Sequence, residues 1–282
     1  MALRINTNVS SLVGQKSLDV SSTSLANSLE KLSSGLRINR AADDSAGLAV
    51  SEKMKAKIRG LNQALRNAND GISLAQTAEG SLEEVGNILV RIKELATQSA
   101  SSTITNADRL SIDSEFQALT SEITRISNVT EFNGQKLIDG SISASSTALN
   151  FQIGVDNSSD NRISLQLNDL DASALQLGGL ATVSHISTVA AAQSALTMVD
   201  SAISTITSSR GTIGSVQNRL ESTISNLRVS VENFTAAKSR ITDVDFATET
   251  AEFTKAQVLV QAGTSLLAQA NASPQAALQL LR

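Results

Sequence analysis

The chain has 282 residues, a formal net charge of −4, one Pro, six Phe and no Cys, Trp or Tyr. Without cysteine there are no disulfides and no thiolate metal sites in any compartment, and the acidic balance gives no support to nucleic-acid binding. So few aromatics leave few of the large anchors that fill a compact core, so the composition favours long helices with slim Ala/Leu seams. The charge is uneven: residues 1–60 hold nine Lys/Arg against five Asp/Glu, a net of +4, which leaves −8 for the remainder. The basic beginning is a solvated face or the complement of an acidic surface on a neighbouring copy. The first residues, Met1 to Asn6, lack the apolar core of a secretory signal, and no run approaches about 18 apolar residues, so no membrane insertion is expected. A chain of this kind that leaves the cell is expected to do so by another route.

In chain order, Leu18, Leu25, Leu29, Leu32 and Leu36 are spaced by seven, four, three and four. That spacing predicts an amphipathic helix ending near Ser33-Ser34-Gly35. Arg37 to Ser45 reads as an ordered elbow with polar residues able to cap the next helix, which is predicted from about Ser45 to Ser99. Leu61, Ala68, Ala75, Leu82, Leu89 and Ala96 recur there every seven residues, flanked by Leu65, Ile72, Val85 and Ile92. The alanines make a narrow seam that permits close helix approach. Gly60, Gly71, Gly80 and Gly86 each cost about 1 kcal/mol relative to Ala, so packing must hold this helix. Thr105 or Asn106 caps a third helix in which Ile112, Phe116, Leu119, Ile123 and Ile126 form the apolar stripe.

After Asn128 the period changes. Phe132-Asn133-Gly134-Gln135 and Asp139-Gly140 are turn signals. Leu149, Phe151, Ile153 and Val155 alternate, as do Ile163, Leu165 and Leu167 beyond a polar loop, which predicts a β-hairpin. Ser141 to Thr147 and Asp169 to Ser187 read as the most loop-like stretches. Helix resumes near Val189. Val199, Ile206, Ile213, Leu220, Leu227, Phe234 and Ile241 then recur every seventh residue, with Leu196, Ile203, Ile224 and Val231 three residues earlier. This is a coiled-coil seam that demands partner helices. Arg210, Gln217 and Lys238 interrupt it where a partner must supply a polar group. The last segment, Thr242 to Arg282, alternates Ala and Leu around Phe246, Phe253, Val258, Leu259, Leu266 and Leu267.

The predicted fold is mainly α: long antiparallel coiled-coil helices from the N- and C-terminal regions, with a small β-hairpin-containing lobe in the middle. Catalytic, cofactor and metal sites are not expected. The single His185 lies in a Ser/Thr-rich loop with no second His and no Cys. Asp43-Asp44 and Asp243/Asp245 each sit where a helix begins, which assigns them to capping.

Ser33-Ser34-Gly35-Leu36-Arg37-Ile38-Asn39, followed by Ala41-Ala42-Asp43-Asp44 and Ala46-Gly47-Leu48-Ala49, resembles the N-terminal signature of bacterial flagellins. Phe132-Asn133-Gly134, Ser239-Arg240-Ile241-Thr242-Asp243-Val244-Asp245, Gln261-Ala262, Leu267-Ala268-Gln269-Ala270-Asn271 and Pro274-Gln275 resemble the same family. The resemblance covers roughly the first 140 and the last 95 residues, and the middle is short. It implies a non-enzymatic subunit that is exported unfolded through the flagellar type III apparatus and polymerises into the helical filament used for swimming. The filament is extracellular, or periplasmic if the source is a spirochaete. The implied partners are other copies of the chain, the filament cap, hook-filament junction proteins and an export chaperone binding the C-terminal end.

The resemblance further implies four segments. Residues 1–44 are an N-terminal arm in the filament inner core, and 45–188 a helical hairpin plus β-hairpin lobe. Residues 189–241 are the long C-terminal helix, and 242–282 the C-terminal arm. Leu18, Leu25, Leu29, Leu32, Leu36, Leu259 and Leu266 would make inner-core contacts, and the arms would order fully only when neighbouring copies bury their apolar faces. Arg91 to Gln98 resembles the patch read by the flagellin-recognising Toll-like receptor of animals, with Arg91, Leu95 and Glu115 at matching positions; the same patch would face the next subunit. The competing readings are a hook-filament junction protein of the same family and a coiled-coil signalling module.

Overall fold

The computed structural model describes residues 7–143, 147–175, 177 and 185–279. Five α-helices are present among them: α1 (Val9–Ser34), α2 (Ser45–Ser99), α3 (Asn106–Val129), α4 (Val189–Thr242) and α5 (Phe246–Gln279). Four short strands lie between α3 and α4: β1 (Glu131–Phe132), β2 (Gln135–Lys136), β3 (Leu149–Gln152) and β4 (Arg162–Leu165). The chain divides into two compact units, one made of Met1–Ile58 and Glu232–Arg282, the other of Arg59–Val231.

In the unit from Arg59 to Val231, α2 and α4 pack antiparallel. Glu79 meets Gln217 while Lys93, further along α2, meets Asp200, earlier in α4. The seven-residue repeat of α2 is buried at Leu61, Ala68, Ala75, Leu82, Leu89 and Ala96. Across it lie Ala192, Ala195, Val199, Ala202, Ile206, Ile213 and Leu220, also buried. Each large side chain sunk this way contributes about 1.5–3 kcal/mol, which outweighs the glycine penalties in α2. α3 opens with a reciprocal capping box, in which the Thr105 hydroxyl accepts from the Asp108 N–H and the Asp108 carboxylate accepts from the Thr105 N–H. Its apolar stripe buries Phe116 and Ile123.

The lobe holds two antiparallel pairs. β1 pairs with β2 (Glu131↔Lys136, Phe132↔Gln135), and β3 with β4 (Leu149↔Leu165, Phe151↔Ile163). The second hairpin is shorter than its alternation suggested. On the loop side its strands stop at Gln152 and Arg162, where one more backbone bond, Ile153 N–H to the Asn161 carbonyl, leads into a loop held by the side chains of Gln152, Asn157, Asn161 and Arg162; at the far side they stop at Leu149 and Leu165. Ile153, Val155 and Leu167 therefore lie outside the strands. The hairpin sits on two glycines of α2: a Cβ at Gly60 would come 3.0 Å from Val155, and one at Gly71 would come 3.0 Å from the Phe151 ring. Close approach to the lobe, rather than chain flexibility, accounts for these two residues.

The described residues of 169–187 hold no helix or strand, as expected of a loop, but they are not peripheral. Leu170, Ala172, Leu175, Leu177 and Ile186 are all buried in the same core as α2, α3 and α4. The described residues of this stretch, 169–175, 177 and 185–187, form a strap whose apolar side chains are placed one at a time, without a period. Residues 144–146, 176 and 178–184 of the two predicted loops lie outside the described residues.

In the other unit, α1 and α5 pair antiparallel. The Asn8 side-chain amide donates to the Ala270 carbonyl at 2.8 Å, Leu267 lies over Gly14, Leu18 lies over Gly263, and Lys31 reaches Glu249 at 3.7 Å.

Candidate assembly surface

Both helices of the α1/α5 pair carry apolar residues beyond those that meet the other helix. The side of α1 carrying Gly14 and Leu18 meets α5, and Leu25 and Leu32 on that side are half-buried. On the opposite side Val9, Leu12, Val13 and Val20 are 57–64% exposed, and their spacing of three, one and seven places them on one helical face. Leu29 is exposed and Leu36 half-buried. α5 also leaves large apolar residues uncovered, spread around the rest of its circumference. Ala256 is buried, whereas Phe246, Val258, Leu259 and Leu266 are exposed. Phe246, Thr250, Ala251, Thr254, Val258 and Leu259 line an open apolar trough of about 930 Å³. Contiguous apolar surface of this extent marks an interaction site.

The pair is joined to its neighbouring helices through an elbow that the sequence showed only in part. Gly35, with φ 71°, ends α1 and returns its N–H to the Lys31 carbonyl. Leu36 then forms a β-bridge with Asp243; Arg37 N–H donates to Thr242 O at 2.7 Å, and Val244 N–H to Gly35 O at 3.0 Å. The Arg37 guanidinium adds two bonds to the Ile241 carbonyl at the end of α4. The chain entering α2 and the chain leaving α4 are thus tied by backbone pairing.

Of the four aspartates expected to cap helices, Asp44 and Asp245 do so, whereas Asp43 ties the elbow turn and Asp243 accepts from the Thr242 hydroxyl. Asp43 accepts from the N–H groups of Arg40 and Asn39, which hold its carboxyl below the ordinary aspartate range. Asp44 accepts from Gly47 N–H in the first turn of α2. Asp245 accepts from the Thr248 hydroxyl and the Ala247 N–H at the start of α5, and these bonds lower it likewise. Among the described residues there is no cluster of three or more side chains able to hold a metal ion.

Along the α4 seam, Val199, Ile206, Ile213, Leu220 and Leu227 are buried, and Phe234 and Ile241 half-buried. Lys57 covers the Phe234 ring at 4.9 Å. Two of the polar interruptions share one acceptor: Glu79 takes the Gln217 amide at 3.0 Å and lies 3.8 Å from Arg210. Lys238 is half-buried.

On the exposed side of α2, Arg91 donates to Glu115 at 3.0 and 2.8 Å and to Glu94 at 3.0 Å. The Glu115 bond, followed by the Glu94 bond, raises the guanidinium pKa above its ordinary value. Leu95 points the other way and is 2% exposed. Arg91 and Glu115 therefore share a surface that Leu95 does not reach.

One polar contact had no sequence signal. Asp113, buried on α3, accepts from the Ile186 N–H and lies 2.7 Å from His185 Nδ1. Beside it, buried Arg109 donates to the carbonyls of Ser99 and Ser101. The cluster fastens the strap as it enters α4, and every one of these bonds is structural.

Residues 5–143 match the family description "bacterial flagellin N-terminal helical region", and residues 196–281 match "bacterial flagellin C-terminal helical region". The chain is 47% identical over 278 residues to a flagellin of Halalkalibacterium halodurans, covering 99% of each. It is 46% identical over 306 residues to a flagellin of Bacillus subtilis, covering 99% of this chain and 100% of that one. A flagellar filament 33 kDa core protein of Treponema phagedenis is 42% identical over 286 residues, again covering 99% of each.

Proposed function

This chain belongs to the bacterial flagellin family, and from that premise we propose that its polymer is sealed by the outward apolar faces of α1 and α5. The protein is a structural, non-enzymatic subunit of the flagellar filament and works there as a homopolymer in motility. The observation that carries the proposal is the apolar surface left uncovered on the α1/α5 pair. One side of each helix is spent inside the chain, while Val9, Leu12, Val13 and Val20 on α1 and Phe246, Val258, Leu259 and Leu266 on α5 remain exposed. Contacts between unlike faces give a ring when the rotation closes and an open helical polymer when it does not, and the filament of this family is the second case.

Under this reading residues 1–44 and 242–282 are the inner-core arms, and 45–188 with 189–241 form the outer layer. Leu18, Leu25, Leu32 and Leu267 knit the two arms within a subunit, whereas Leu29, Leu259 and Leu266 meet neighbours. Export in an unfolded state through the type III apparatus suits a chain with no disulfide to reduce. The filament cap, the hook-filament junction proteins and a chaperone on the α5 trough are the expected partners. Electron microscopy of seeded, purified chain tests the assembly. Long filaments are expected from wild type and none from Val13→Asp/Val20→Asp; filaments from that double variant would overturn the assignment.

A second reading concerns the Arg91–Glu115 pair. Exposed, mutually fixed and beside an exposed Val90, it is a surface that the animal Toll-like receptor could read, with Leu95 acting only as support from beneath. Arg91→Ala monomer in a receptor reporter assay should lose signalling; unchanged signalling would remove this reading.

A further inference from the structure

The tip of the β1–β2 hairpin carries a chemistry of its own. Asn133 has φ 52° and Gly134 φ 78°, so the two-residue connection between Phe132 and Gln135 is left-handed at both positions, as in a type I′ turn. Asn-Gly is the pair that adopts this geometry with least strain, and it occurs once in the sequence. Both residues are exposed. A Cβ added at Gly134 would meet nothing within 4 Å, and among the described residues no group accepts a hydrogen bond from the Gly134 N–H.

We propose that Asn133 is a site of spontaneous deamidation. The Gly134 backbone nitrogen, once its proton is lost to solvent base, attacks Cγ of Asn133. The Cγ–Nδ2 bond breaks, ammonia leaves with a proton taken from water, and a five-membered succinimide closes. Water then opens the ring. Cleavage at Cγ leaves an ordinary peptide link with aspartate, and cleavage at the main-chain carbonyl leaves an isoaspartyl link through the side chain. The net exchange is one water in and one ammonia out, with no oxidant or reductant. Glycine permits the attack because no side chain shields its nitrogen.

The consequence is local. Each event adds a negative charge beside exposed Glu131, and the isoaspartyl product inserts an extra backbone carbon into a connection whose register allows two residues. The hairpin leads directly into Leu137 and Ile138, both fully buried, and the Leu137 N–H bonds the Thr130 carbonyl. The pair that makes the turn cheap to form also limits how long it lasts.

Full-length folded chain should be held at mildly alkaline pH and body temperature, sampled over weeks, and analysed by peptide mapping with isoaspartate detection. The peptide containing Asn133 should convert from amide to acid faster than any other asparagine peptide, and faster still at higher pH. Asn133→Gly, which keeps a turn of the same type, should lose the conversion with unchanged circular dichroism. A different asparagine leading, or Asn133 intact in folded chain while a urea-unfolded control converts, would overturn the proposal.

Discussion

Glycines in one helix have opposite meanings at different positions. Gly71 is wedged between Phe151 and Leu220, where a Cβ would sit 3.0 and 3.2 Å from their atoms, whereas a Cβ at Gly80 would meet nothing within 4 Å. Gly80→Ala should therefore stabilise the subunit by about 1 kcal/mol through helix propensity alone. Gly71→Ala gains the same propensity but overpacks the lobe at a cost of about 1–3 kcal/mol, so it should be neutral to destabilising; urea unfolding of the two variants measures the contrast. Asp43 and Asp245 give a pH dependence. Both carboxyls are lowered in the folded chain, by the N–H groups of Arg40 and Asn39 in one case and by Thr248 and Ala247 in the other. Each contributes stability that is complete above the unfolded value of about 3.9 and is lost as pH falls through the folded value. The elbow and the start of α5 should loosen in acid below that point, seen as amide exchange at Asn39, Arg40 and Ala247 rising before the core exchanges. The same rise in Asp43→Asn/Asp245→Asn at neutral pH would assign it to these two groups.

Helices are the units that assembly tests. Leu227→Asp places a carboxylate among buried seam residues of α4, at a cost of several kcal/mol or forced protonation. The variant should express and fail to form filaments, whereas normal swimming would count against that register. The elements most legible in the sequence are those with a period. The seven-residue repeats of α2 and α4, a cap at Thr105 or Asn106 and the end of α1 near Gly35 could all be read without coordinates, because each is a local rule acting within a few residues. The β3–β4 hairpin was legible in place and pairing but not in length, since alternation does not show where the ladder gives way to the loop held by the side chains of Gln152, Asn157 and Arg162. The burial of the strap's described residues was not legible, because Leu170, Leu175 and Ile186 enter the core singly and without a period. Nor were the shared acceptor Glu79 or the Asp113–His185 contact, each joining elements distant in sequence. Of the assembly surface, the apolar residues of the arms were visible, but not which faced inward: Leu18 and Leu29 belong to one leucine pattern, and only the pairing with α5 separates them.

At the level of the whole molecule, polymerisation depends on both ends of the chain. Removing Thr264 to Arg282 strips α5 of Leu266 and Leu267 and deprives Gly14 of its partner side chain. The truncated subunit should keep most of its helical circular dichroism, sediment as a monomer and add to no seed; filaments built from it would count against the sealing role of the arms. The bridge between Leu36 and Asp243, with Arg37 on the Ile241 carbonyl 204 residues away, has a further effect on a chain that is made and delivered from one end. Its first half is available early, but its second half arrives only when translation is nearly finished. A fragment broken anywhere before Asp243 lacks the counterpart and leaves Leu36 and Arg37 without their backbone partners.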